Sequence, residues 1–88
     1  MLRSFEGGTV HLINGAMIRC ARGLLGWSAR TLAQRSHVGI ATIQRIEAAK
    51  FAVCGQNSTI HKIEHALVDA NVHFTENAAG EIGVHIKS

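Results

Sequence analysis

The chain has 88 residues, 47% of them apolar, with one Trp, three Phe and no Tyr, enough for one small aliphatic core and too little for a second domain or an enclosed substrate pocket. Its net charge of +3 is unevenly spread: residues 15–50 hold Arg19, Arg22, Arg30, Arg35, Arg45 and Lys50 against Glu47 alone, while the stretch from Gln56 onward holds Lys62 and Lys87 against Glu64, Asp69, Glu76 and Glu81. Cys20 and Cys54 stand apart and no apolar run approaches ~18 residues, so a disulfide framework, a zinc ribbon, secretion and a membrane span are not expected, and a reduced, cytoplasmic setting is.

In chain order, Thr9-Val10-His11-Leu12-Ile13 alternates in the manner of a short strand. Asn14 is placed to cap a first helix whose apolar positions Met17, Ile18, Ala21, Leu24 and Leu25 recur at three- and four-residue spacing, with Gly26 placed to end it. Ser28 is placed to cap a second helix that turns Leu32 and Ala33 inward and Arg30, Gln34 and Arg35 outward. A tight turn at His37-Val38-Gly39 leads to a third helix, about Ile40 to Ala48, which buries Ile43 and Ile46. Ala49 to Asn57 reads as a loop, and Ser58 as the cap of a fourth helix with the stripe Ile60, Ile63, Leu67 and Ala70. Asn71 suits a left-handed cap, after which the period changes to two. Val72-His73-Phe74-Thr75 and Ile82-Gly83-Val84-His85-Ile86, joined by turn-like residues 76–81, predict a hairpin. The expected fold is mainly α, one domain with a four-helix core over about 15–70, a short N-terminal strand and a C-terminal β-hairpin over about 72–87.

Across roughly residues 16–70, three segments carry a family likeness. They are Ile18-Arg19-Cys20-Ala21-Arg22-Gly23-Leu24-Leu25-Gly26-Trp27-Ser28, then Leu32-Ala33, then Thr42-Ile43-Gln44-Arg45-Ile46-Glu47. The chain resembles the Cro/lambda-repressor-like, or XRE-type, helix-turn-helix regulators of bacteria and phage, in particular small single-domain members that end in a hairpin. The resemblance implies a four-helix Cro-like domain whose third helix reads DNA. Two residues depart from the pattern: His37 stands where the turn often holds Gly, and Gly39 where the cap is Ser or Thr.

The resemblance places Ile40, Ala41, Thr42, Gln44 and Arg45 on the base-reading face. Gln suits adenine N6/N7, Arg suits guanine O6/N7, and the apolar Ile40 and Ala41 can meet a thymine methyl; packing beneath the second helix is the competing role for Ile40, and phosphate contact that for Thr42. Phosphate contacts are expected from Ser28, Ala29 and Arg30 at the start of the second helix and from Lys50, Gln56 and Asn57 after the third. Arg22 and Glu47 fall where the family pairs an arginine late in its first helix with a glutamate ending the recognition helix, which implies a partly buried structural ion pair; ordinary surface charges are the alternative. Arg19 and Arg35 read as solvated charges.

Six histidines raise the question of metal. His61 and His65 stand at i, i+4 off the apolar stripe, and His11, His73 and His85 each lie between apolar neighbours in a candidate strand, where paired strands would set them on one face. Outward-facing polar positions explain both patterns, and neither a metal nor another cofactor is expected. With no phosphate loop and no nucleophile–base motif, an enzyme is not expected either. The resulting expectation is a homodimeric, sequence-specific regulator of double-stranded DNA, a repressor on a palindromic operator, paired through the C-terminal hairpin, with no membrane partner. The rival is a protein-interaction module, such as an antitoxin-like protein that neutralises a partner.

Overall fold

A computed structural model describes residues 3–4, 13–51, 58–76, 79 and 81–87. Strand β1 (Arg3–Ser4) precedes helices α1 (Gly15–Leu25), α2 (Ala29–Ser36), α3 (Ile40–Ala48) and α4 (Ser58–Asp69), and strands β2 (Val72–Glu76) and β3 (Ile82–Ile86) follow. The described chain is therefore mainly helical, with a small antiparallel hairpin of β2 and β3.

Side chains and left-handed residues punctuate the helices. Asn14, in extended conformation, accepts the Met17 N–H at 2.9 Å through Oδ1 and so satisfies one of the orphan amides at the start of α1. Gly26 ends α1 at φ 70°, a conformation that costs glycine little. Ser28 caps α2 by accepting the Thr31 N–H at 3.0 Å. His37, at φ 60°, ends α2 in the left-handed region without the glycine usual there.

Helix α3 starts differently. Gly39 occupies its N-cap at φ −61° and supplies no side-chain bond. A Cβ there would meet no atom within 4 Å, so nothing opposes a hydroxyl that would cap α3 while restricting the unfolded chain. Gly39→Ser is accordingly expected to stabilise the fold by about 0.5–1 kcal/mol. Urea denaturation checks this, and a midpoint at or below wild type would mean the cap bond does not form.

The core is one cluster of Ile13, Met17, Ile18, Ala21, Leu32, Val38, Ile43, Ile60, Ile63, Leu67, Val72 and Phe74. Helix α1 packs on α3 and β3, α2 on α3 and α4, and α4 on β2. In the sheet, β2 lies between β1 and β3. Arg3 pairs with Glu76 and Ser4 with Thr75; on the other side Val72 pairs with Ile86, His73 with His85, and Phe74 with Val84. Alternation then sends Val72, Phe74 and Val84 to the helices and His73, Thr75 and His85 to the opposite face.

Several expectations need correction. Of the strand expected over Thr9–Ile13, residues 9–12, including Val10 and His11, lie outside the described residues, and Ile13 is not in a strand. Ile13 directly precedes the Asn14 cap and Ile18 is the fourth residue of α1, the two positions of a hydrophobic staple; both are fully buried. A strand the sequence reading did not contain, β1, joins the sheet instead. Ser58 is the first residue of α4 rather than its cap. Val72, Phe74, Ile82, Val84 and Ile86 share a face by register, yet Ile82 and Ile86, at the two ends of β3, stay 37% and 41% exposed while Val84 at its middle packs on the core. Ser36 and Glu64 are buried although polar; the Ser36 hydroxyl donates to the Leu32 carbonyl at 2.7 Å.

Candidate nucleic-acid interface

Helix α3 carries two unlike faces. Ile43 is fully buried and Ile46 packs against the core, while Ala41, Gln44, Arg45 and Ala48 are all exposed. Spacings of three, four and seven residues put those four side chains in one stripe. Ile40 and Thr42 flank it and are half-buried. Ala48 was not among the expected base-reading residues, though the same i, i+3, i+4, i+7 arithmetic reaches it. The stripe thus holds two long polar side chains between two methyl groups, a shape that permits close approach of another surface at both ends.

A partly buried polar anchor sets where that stripe sits. The Arg22 guanidinium, on α1, donates from Nε to Glu47 Oε2 at 2.9 Å and from Nη2 to Glu47 Oε1 at 2.8 Å, a bidentate pair with the last turn of α3. Its Nη1 donates to the Trp27 carbonyl at 2.9 Å, so one side chain ties α1, the α1–α2 connection and α3 together. The two side chains are 18% and 10% exposed. Hydrogen bonding to Glu47 raises the Arg22 pKa above its ordinary value, against the opposing effect of burial and with help from the carboxylate's charge.

A second contact extends the chain of interactions. The Arg35 guanidinium lies 5.3 Å from the centroid of the Trp27 ring, a cation–π distance. Arg35 is exposed, yet it is more than the solvated charge expected of it. Backbone contact adds to the anchor: a Cβ on Gly15 would press on the Ile46 carbonyl oxygen and come within 2.9 Å of Glu47 Cα, so α1 and α3 approach backbone to backbone there. The sequence reading missed Gly15; its one signal was a glycine at the first position of a helix.

The remaining candidate residues lie around these two helices. Ser28 and Arg30 are exposed at the start of α2, whereas Ala29 is half-buried and packs on the core. Lys50 is exposed after α3 at φ 48°, and its carbonyl accepts the Ala16 N–H at 2.9 Å, which pins this corner to α1. Phe51 beside it is a largely exposed aromatic that the sequence reading did not single out. Gln56 and Asn57 lie outside the described residues. Because the one acid of residues 15–50, Glu47, is engaged by Arg22, the exposed cations Arg19, Arg30, Arg35, Arg45 and Lys50 have no carboxylate of that segment to offset them.

Among the described residues, no helix is long and apolar enough to cross a membrane, and no three ligating side chains converge as a metal site would require. No protein-family model and no curated protein matches the chain, so the chemistry of the site rests on its own geometry.

Proposed function

We propose that this protein is a sequence-specific, double-stranded-DNA-binding regulator, a cytoplasmic repressor that acts as a homodimer on a palindromic operator. The observation that carries this reading is the exposed Ala41–Gln44–Arg45–Ala48 stripe on a short helix held in place by a partly buried arginine–glutamate pair. In this reading α2, the His37–Gly39 turn and α3 form a helix-turn-helix of the Cro/lambda-repressor type, and α3 enters the major groove. Gln44 and Arg45 read base edges, Ala41 and Ile40 meet thymine methyls, and Thr42 supports them from the flank. Ser28, Ala29 and Arg30 meet one phosphate run and Lys50 another, through backbone N–H groups and charge.

Titration of an operator against random DNA tests the reading. Arg45→Ala is expected to weaken operator binding by about 1–3 kcal/mol and leave random DNA almost unaffected, the behaviour of a bidentate arginine–guanine contact. Equal loss on both would make Arg45 a phosphate contact. Lys50→Ala is expected to weaken both alike and lower the salt slope by about one. Absence of salt-sensitive binding to any duplex would overturn the whole proposal.

For the dimer, the edge of β3, unpaired among the described residues and carrying exposed Ile82 and Ile86, supports antiparallel pairing with a second copy; reading of a palindrome requires the two α3 helices to lie about one DNA turn, ~34 Å, apart. Deleting the hairpin is a poor test, because Val72 and Phe74 are fully buried and their loss would empty the core. Ile82→Lys with Ile86→Lys leaves the core intact. Sedimentation should then show a monomer, and a persistent dimer would move the interface elsewhere. The same exposed edge favours a second reading, an antitoxin-like protein that binds a different chain there; a stoichiometric partner in place of a self-dimer would identify it.

A further inference from the structure

The outer face of α4 has no part in the DNA-binding reading. The helix turns Ile60, Ile63, Glu64 and Leu67 inward, and His61, His65 and Asp69 fall on its exposed side one turn apart from each other. Residues four apart on a helix have Cβ atoms ~5–6 Å apart, so two imidazoles at that spacing can aim a nitrogen each at one point. A zinc ion at ~2.0–2.1 Å from each nitrogen asks for a separation of the two nitrogens of little more than 3 Å, which rotation about the side-chain bonds supplies.

The carboxylate contributes orientation. His65 Nδ1 lies 3.4 Å from Asp69 Oδ2, both side chains being more than two-thirds exposed. That distance is longer than a good hydrogen bond, but a small rotation of either exposed side chain would let an Nδ1 proton reach the oxygen and leave Nε2 with the lone pair, the tautomer a metal needs. Imidazoles that bind metal generally donate their other nitrogen's proton to a carboxylate or carbonyl in this way. The second pair of histidines is less ready. His73 and His85 are opposite each other in the sheet, but His85 Nε2 already lies 3.1 Å from Thr75 Oγ1.

We propose that His61 and His65 form a two-imidazole surface site on α4 for a divalent transition-metal ion of the zinc, nickel or copper class, with Asp69 as the positioning carboxylate. Imidazole nitrogen suits those ions and not magnesium or calcium. Water fills the remaining coordination positions. Binding clamps one turn of α4 without touching the core, and the site stands or falls independently of DNA binding.

The test is a titration of zinc chloride into the full chain in chelator-free buffer, followed by calorimetry and by NMR of the imidazole carbon-bound protons. One ion per chain is expected to bind, with shifts confined to His61 and His65. Because the second imidazole binds as an intramolecular ligand, His61→Ala and His65→Ala should each weaken affinity at least about tenfold. Asp69→Asn should weaken it less, while His73→Ala and His85→Ala should leave it unchanged. All these side chains except the half-buried His73 are exposed, and circular dichroism verifies the fold of each variant before titration. Absence of saturable binding at millimolar zinc would overturn the proposal. So would affinities of the His61 and His65 variants equal to wild type, or shifts at His73 and His85 instead.

Discussion

Replacing Glu47 by Ala should destabilise the fold by about 3 kcal/mol, well beyond what a surface ion pair is worth. The pair is mostly withdrawn from water, and Arg22 makes both of its Glu47 bonds at 2.8–2.9 Å. Removing the carboxylate strands a guanidinium between α1 and α3 with, among the described residues, only the Trp27 carbonyl left to it. Breaking a buried pair by removing one partner costs ~3–5 kcal/mol, and the residual exposure of Arg22 places this case at the lower end. In a domain of this size each kcal/mol lowers the melting temperature by about 4–8 °C. The comparison variant is Asp69→Ala, whose contact with the His65 imidazole is largely exposed and should be worth less than about 1 kcal/mol. Equal melting temperatures for the two would show that water satisfies Arg22 once Glu47 is gone. A double variant, Arg22→Met with Glu47→Leu, should recover part of the stability, since it leaves no charge behind.

Gly15→Ala should destabilise as well, although local preference argues the reverse. Alanine is the better helix former, by about 1 kcal/mol in a helix interior and by less at this first position, so on an isolated α1 the change would help or be neutral. In the folded chain the added methyl would press on the Ile46 carbonyl oxygen and on Glu47 Cα. Neither is the far end of a side chain that can swing away, so α3 itself must shift. Overpacking of this kind costs ~1–3 kcal/mol. A displaced α3 would also carry Gln44 and Arg45 with it, so on the proposed DNA-binding function any binding to a specific duplex should fall along with the melting temperature. A Gly15→Ala protein more stable than wild type would show that α1 and α3 separate at little cost.

These two expectations mark different degrees of legibility. The four helices and the hairpin could be read from the chain because each depends on information carried within a few residues. Asn14, Gly26, Ser28 and Asn71 signal helix ends through side-chain bonds or tolerance of positive φ, and the change from a period near 3.6 to a period of two announces the strands. Ile13 misled for the same local reason. Beside Val10 and Leu12 its alternation looked like a strand, and nothing nearby said that it would instead lie across from Ile18 in the core.

The helices, most of their ends, the strand pair and the concentration of positive charge over residues 15–50 were legible in the chain, because propensity, capping and net charge are properties of short stretches; the start of α4, one residue earlier than expected, was not. Contacts between distant segments set how closely α1 meets α3 at Gly15, which ring Arg35 covers, that Glu64 turns inward, that Arg3–Ser4 supplies a strand, and that Ile82 and Ile86 stay exposed on β3. Each of those depends on which distant segments come to lie against one another. That is settled by the shape of the whole core, and no window of neighbouring residues contains it.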